Sequence, residues 1–296
     1  MILFSLAGCV NHSLITTEDA SINLVPSKGI LWKVDKSSNL TTDKILPSYV
    51  FGTIHSEDER VTNLPEEINA AFTGSKIFAM EMILDEKTSK SILRNMYFND
   101  GRTLKSVTSK DTYSQSIVAM EKRGMPEDLV NMMKVWAVFT VLNMPEQKTG
   151  LFLDALLYQS AKKHGKKVVG LESMQEQLAV FDGMKIETQV SLLETTLKSG
   201  EDLNEILDET IEIYLTHDLQ KILDLNDRYL SYLDKKVADE FNDRLIIDRN
   251  RKMADRMIPL IEQGEAFIAI GTLHLPGSEG VLNLLRKKGY DVTVEF

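Results

Sequence analysis

Apolar residues run along this chain in two patterns. Six compact runs, rich in β-branched and aromatic side chains and bounded by Gly, Pro, Ser or Asp, predict strands. They are Gly29 to Lys36 (GILWKVDK), Pro47 to His55 (PSYVFGTIH), Lys76 to Met82 (KIFAMEM), Lys166 to Glu172 (KKVVGLE), Glu265 to His274 (EAFIAIGTLH) and Tyr290 to Phe296 (YDVTVEF). Between them apolar positions recur at helical spacing. Leu203, Ile206, Leu207, Ile213 and Tyr214 do so, as do Leu219, Ile222 and Leu223, and then Met253, Met257, Leu260 and Ile261. A helix is predicted over Leu64 to Ser75, with Pro65, Glu66 and Glu67 suiting its start and Gly74 its end. Asp85 to about Ala161 reads as helical, strongest in MPEDLVNMMKVWAVFTVL, with Pro145 breaking the run. Another helix stops at Gly165, and SEGVLNLLRKKG bridges the last two strands. Strand, helix, strand at both ends with helices between them predicts an α/β fold.

The first and last units share a detail. Phe51 to His55 reads FGTIH and Ile270 to His274 reads IGTLH, so each strand leaves through Gly-Thr-aliphatic-His. In open α/β sheets ligands gather outside the carboxyl ends of the strands. Gly52 and Gly271 relieve crowding where something must approach the backbone. Two other predicted strands end on acids, Glu81 and Glu172. If the four strands lie side by side, His55, Glu81, Glu172 and His274 converge on one rim. Two imidazoles and a carboxylate suit a divalent transition metal with a position left open for water. One histidine after a strand is more often merely solvated; the repetition, with acids at equivalent strand ends, favours the metal. His12 falls in a linker, and His164 and His217 among charged helical residues, so none of the three receives a role.

Arg249 and Asn250 stand in DRLIIDRNRKMADRM, ahead of an amphipathic pattern that leads into the second motif strand. The arginines there are either a solvated helix face or a fork for a carboxylate or carbonyl. The formal net charge of -10 and the absence of a Lys/Arg block argue against nucleic acid as a partner. The longest apolar run past the N-terminus, Val135 to Met144, is too short to span a bilayer.

The single cysteine excludes an intrachain disulfide and a cysteine-based zinc site. It closes MILFSLAGC, where Leu6-Ala7-Gly8-Cys9 resembles a bacterial lipobox, and polar residues follow it. The expected organisation is a signal-like segment over residues 1–9, a linker over 10–28 and one domain over 29–296. Acylated Cys9 would tether the protein to a membrane without spanning it, facing the periplasm from the bacterial cell envelope. The basic region expected before such a segment is missing from the chain, which points to a start further upstream. Val10 in place of Asp favours the outer membrane over the inner.

LWKVDK, YVFGTIHSEDERVTNLPEEINAAFTGSKIFAMEM, LFLDALLYQSAKKHGKKVVGLESMQEQLAVFDGM, IIDRNRKMADRM and AFIAIGTLHLPGSEGVLNLLRKKGYDVTVEF follow one another in the chain. In that order they resemble the TraB/GumN family, which includes the animal Tiki metalloproteases. The resemblance implies an α/β fold akin to the erythromycin-esterase and ChaN-like proteins: a central mixed sheet from two related strand-helix-strand units, flanked by a large helical insertion. It also implies a site of His55 and His274 with Glu81, Asp154, Glu172, Arg249 and Asn250.

The activity implied is that of a metal-dependent peptidase acting on a peptide or protein. His55, His274 and Glu81 would hold Mn, Co or Zn. Glu172 would be the general base, exchangeable with Glu81 as ligand, and Asp154 would orient a histidine. Arg249 would stabilise an oxyanion or bind a terminal carboxylate. Two other readings stand beside this one: a lipoprotein that binds a peptide or haem without turning it over, and a helical interaction protein with a dead site.

Overall fold

The computed structural model describes residues 25–36, 46–83, 85–144, 148–199 and 203–296. The expected Cys9 lipobox and the linker up to Leu24 lie outside them. Six strands form one mixed sheet: β1 (Leu31–Lys36), β2 (Ser48–Thr53), β3 (Ile77–Met80), β4 (Lys167–Gly170), β5 (Ala266–Gly271) and β6 (Tyr290–Val294), in the order β4-β3-β5-β2-β1-β6. β4, β3, β5 and β2 run parallel, while β1 lies antiparallel to both β2 and β6. Continuous apolar strands such as AFIAIG in β5, buried at every position, are what a sheet covered on both faces requires.

Alternate residues of β5 serve the two faces. Ile268 and Ile270 pack with Met253, Met257, Leu260, Val281 and Leu285, under the helices Asp248–Gln263 and Val281–Lys287. Phe267 and Ala269 pack with Phe72, Leu157 and Tyr214, under the helices Glu66–Gly74, Leu153–Lys163 and Leu203–Leu215. A second core, with no strand in it, holds Leu104, Trp136, Phe139, Phe181, Leu193 and Phe241. This is the helical insertion, and it differs from a single block. β4 interrupts it, pairing with β3, so the helical core is drawn from chain on either side of that strand.

The two terminal units are interleaved rather than placed in separate halves. β3, which follows β2 in the chain, sits on the far side of β5 from it, so the two motif strands are direct neighbours. Thr53 pairs with Gly271 at the end of that ladder. Gly52 is crowded there: a Cβ on it would come within 2.7 Å of Leu275 Cδ1 and 3.0 Å of Thr272 Oγ1. The partner that approaches Gly52 is therefore the other motif's turn.

Two local readings change. The helical run expected through MPEDLVNMMKVWAVFTVL breaks into Glu127–Met132 and Val135–Leu142. Met133 is extended because Phe98 N–H donates to Met132 O and Lys134 N–H to Met96 O, a cross-chain pairing that competes with the helix. Arg249 and Asn250 do not precede the last long helix but occupy its first turn, directly after a π-helical turn over Asp243–Ile247. No helix among the described residues is long and apolar enough to cross a membrane.

Candidate active site at the strand ends

Because β4, β3, β5 and β2 are parallel neighbours, Glu172, Glu81, His274 and His55 leave the sheet at one rim, in that order across it. Asp154 comes from the first turn of the helix Leu153–Lys163, and Arg249 and Asn250 from the first turn of Asp248–Gln263. Apart from His55, which keeps partial exposure, all of these residues are buried.

His55 is held by its neighbours along one ring edge. Its Nδ1 lies 2.9 Å from Asp154 Oδ2, and Asp154 Oδ1 accepts from Thr53 Oγ1 at 2.8 Å. Phe152 packs edge-on against the imidazole with ring centres 5.1 Å apart. Burial would raise the Asp154 carboxyl, but His55 and the Thr53 hydroxyl outweigh it and hold that group below the ordinary carboxylate range. An ionised Asp154 only accepts, so Nδ1 carries the proton and Nε2 is the basic nitrogen.

His274 reaches the same tautomer by another route. Its Nδ1 lies 2.6 Å from Asn250 Oδ1. The amide cannot be turned about, because Asn250 Nδ2 donates to Glu279 O at 2.8 Å. Burial, with Arg249 nearby, pushes the imidazole down to about 3, so His274 is neutral at physiological pH despite Glu81. Its Nε2 faces Glu81 Oε1 at 3.7 Å.

Glu81 is pinned from two sides: Oε1 accepts from Gly271 N–H at 2.8 Å and Oε2 from Arg249 Nη2 at 2.6 Å. Burial opposes its charge, yet Arg249, with the Gly271 N–H, holds it well below the usual carboxylate range. Arg249 also grips Glu172, donating from Nε to both carboxylate oxygens at 3.0 Å and from Nη2 at 2.6 Å. Its Nη1 donates to Leu245 O at 3.3 Å. Burial works against the guanidinium's charge, but the two carboxylates raise its proton affinity, so it is a permanent cation.

These bonds bear on the roles expected above. Arg249 and Asn250, 6% and 1% exposed, are no solvated face; that face is Arg251, Lys252 and Arg256. The nitrogens of Arg249 are committed inside the protein, to Glu81, Glu172 and Leu245 O. Glu172 is gripped by Arg249 and also receives Gln177 Nε2 at 3.2 Å.

Whether the donors fit a cation turns on the His274–Glu81 pair. At 3.7 Å the two atoms are too far apart for a hydrogen bond, and with Nε2 as the basic nitrogen both are acceptors. Two ligands of one ion, each about 2 Å from it, stand roughly 3–3.5 Å apart. At 3.7 Å the pair is slightly wider than that and would have to close by roughly a few tenths of an ångström to serve as an ion's first two ligands. Among the described residues no three histidine, cysteine or acidic side chains are grouped closely enough to complete such a site.

Sequence reading missed three contributors. Thr53 and Thr272 were visible as letters of the repeat but carry different bonds: Thr53 holds Asp154, while Thr272 Oγ1 donates to Thr53 O at 2.9 Å. Gln177 gave no signal beyond its place after the fourth strand. His164 caps a helix at the surface and His217 packs on Phe296. Beside Glu172 a cleft of about 560 Å³ opens between Met82, Ile83, Leu171, Met174 and Arg256.

Known proteins resemble the chain along most of its length. It is 25% identical to Metalloprotease TIKI homolog of Nematostella vectensis, over 83% of this chain and 64% of that protein. With Metalloprotease TIKI1 of Homo sapiens it shares 26% identity over 83% of this chain and 59% of the other. It thus spans about three fifths of the length of these curated relatives. An uncharacterized protein of Treponema pallidum is 22% identical over 81% of this chain. No solved structure matches it. The TraB/PrgY/gumN family description matches residues 30–294 of the 296, and the chain belongs to that family.

Proposed function

We propose that this protein is a metal-dependent hydrolase that cuts a peptide bond. The observation that carries the reading is the facing pair of acceptors, neutral His274 Nε2 and ionised Glu81 Oε1. The names of the relatives support it, and so does the setting of both imidazoles, each bound at Nδ1 by a side-chain oxygen, the usual support of a metal-ligating histidine.

In this reading His274 and Glu81 would hold the ion, with His55 drawn in from the neighbouring strand end to complete the set. A divalent ion, Mn, Co or Zn, would supply Lewis-acid polarisation of a carbonyl and lower the pKa of bound water. The chain's own residues do the rest. Asp154 and Asn250 keep the Nδ1 protons in place and the Nε2 lone pairs turned to the rim. Arg249 keeps Glu81 charged at any working pH, and Glu172 fixes Arg249. The cleft beside Glu172 lies next to this rim and gives an extended peptide somewhere to rest. Acylation of Cys9 would tether the enzyme to the bacterial envelope, outer membrane before inner; a palmitate analogue should label the wild type and not Cys9→Ser.

The test is metal analysis of protein purified without chelator, then digestion of a peptide library with Mn, Co or Zn added or withheld. Bound metal and cleavage should both be lost in His274→Ala, and in the double variant with His55→Ala cleavage should fall no further than in either single one. Cleavage by the metal-free double variant overturns the reading. An inert wild type under all three metals gives the ground to a protein that binds a peptide or haem without turnover.

A further inference from the structure

The segment that supplies Asp154 and Phe152 to His55 has to be held against the strand end from which His55 departs. Four contacts do this, in register. His55 Nδ1 meets Asp154 Oδ2, and the His55 ring meets Phe152. Ser56 O accepts from Leu153 N–H at 3.2 Å. Two residues past His55, the Glu57 carboxylate accepts from three consecutive backbone N–H groups: Lys148 at 2.9 Å, Thr149 at 3.2 Å and Gly150. Gly150 takes φ +74, the left-handed turn that lets successive N–H groups converge on one acceptor. Backbone N–H groups in such a turn need an acceptor, and a side-chain carboxylate makes the stronger, charge-assisted bond.

We propose that Glu57 is a positioning residue for the site: its carboxylate ties the turn Lys148–Gly150 to the His55 loop and so holds Phe152 and Asp154 against the imidazole. The segment after that turn leads in four residues from Gly150 to Asp154, so its placement sets where Asp154 can reach. Glu57 touches no reacting atom in this scheme. It acts through Asp154, which fixes the His55 tautomer, and through Phe152, which limits rotation of the ring. The activity part of the proposal rests on the hydrolase reading above; the structural part does not.

The experiment compares Glu57→Ala and Glu57→Gln with the wild type as full chains. Hydrogen exchange reads the amides of Lys148, Thr149, Gly150 and Leu153. Nitrogen shifts of the His55 imidazole read its tautomer, and peptide cleavage reads kcat against KM. In Glu57→Ala, exchange at the four amides should speed up at least ~10-fold and the single His55 tautomer should become a mixture. With the loop loosened, kcat should drop ~10–100-fold, the cost of losing a histidine's supporting partner. KM should stay within about twofold, since no substrate contact is removed. Glu57→Gln keeps a carbonyl acceptor and should restore most of the protection and the tautomer. Unchanged exchange and an unchanged His55 tautomer in Glu57→Ala overturn the proposal. Equal loss in both variants overturns it too, since then the acceptor is not what matters. If the wild type cleaves nothing, the hydrolase reading fails by itself, and the exchange and tautomer measurements still decide the role of Glu57.

Discussion

His55 and His274 follow neighbouring parallel strands, each behind Gly-Thr-aliphatic, and both present Nε2 with Nδ1 occupied. Their surroundings differ in kind. His55 keeps 15% of its side chain exposed, has a carboxylate on Nδ1, and is clasped by a segment that ends in a loop. His274 has none exposed, has an amide on Nδ1, and stands beside the Glu81–Arg249–Glu172 cluster. The repeat thus fixes how a histidine leaves a strand, while partners drawn from distant parts of the chain decide its electrostatics. One side is partly exposed; the other is fully buried, neutral at the ring and charged just behind it.

The strongest way to break this contrast is to remove the cation from the fully buried side. Arg249→Met keeps length and bulk but leaves Glu81 and Glu172 buried with no counter-charge. Breaking a buried pair from one end costs ~3–5 kcal/mol. We expect urea unfolding to shift by about that much, while Arg256→Met, on the solvated face of the same helix, shifts by under ~1 kcal/mol. A small loss at Arg249 would mean that the cluster is not what organises this end of the sheet.

Next in size is an exchange of character. Asn250→Asp gives His274 the carboxylate that His55 has, but in a fully buried setting. The Nδ2 donation to Glu279 O disappears, and an acid oxygen is left facing a carbonyl. An unmatched buried polar pair of this kind costs ~2–3 kcal/mol. Carbon shifts of the His274 ring near pH 6 should then show protonation that the wild type lacks. A stable variant with a neutral ring would contradict the electrostatic account.

Acid sharpens the comparison without mutation. In metal-free protein His274 sits near 3 when folded, against 6.5 when unfolded. Its folded value is depressed, so the stability it contributes is present above the unfolded value and is lost as pH falls from 6.5 toward 3. From pH 7 to 5 the unfolded chain binds the proton and the folded one does not, which costs ~2 kcal/mol. Glu81 and Asp154, also held low, add their losses only below their own unfolded values near 4, so between 6.5 and about 5 the fall comes from imidazoles, His274 together with His217, which burial also pushes down. His274→Leu should flatten the fall in unfolding free energy across that window. A wild type equally stable at pH 7 and 5 would remove the claim.

Much of this arrangement was legible in the letters, and the limits have physical causes. Continuous apolar runs gave the six strands, and the paired motif with Glu81 and Glu172 gave the rim, because a strand end is a local feature. Strand order was not local: nothing in the β2 and β5 sequences says that β3 crosses beyond β5 to make the motif strands neighbours. The break at Met133 escaped because a backbone pairing with Met96 and Phe98 overrode a good helical pattern. The commitments of Arg249 escaped for a similar reason: an arginine in a charge-rich helix looks solvated until its neighbours across the fold are known. Glu57 gave no signal at all, since its partners are backbone N–H groups, which any sequence supplies.

The smallest expected change in stability tests the partly exposed side. Asp154→Asn turns the His55 partner into the kind of group His274 has. The amide is nearly isosteric, and its oxygen can still accept from Nδ1, but its nitrogen then meets the Thr53 hydroxyl, which must reverse its bond and accept. One neutral hydrogen bond replaces a charge-assisted one, so unfolding free energy should fall by only ~1 kcal/mol. Function should respond more than stability. With the carboxylate gone the ring loses its ionised supporting partner, and metal affinity or turnover should drop ~10–100-fold. Asp154→Ala, which also frees the tautomer, should lose more on both counts. If Asp154→Asn leaves metal affinity and turnover intact, the acid is dispensable, and the amide that suffices at His274 suffices at His55 as well.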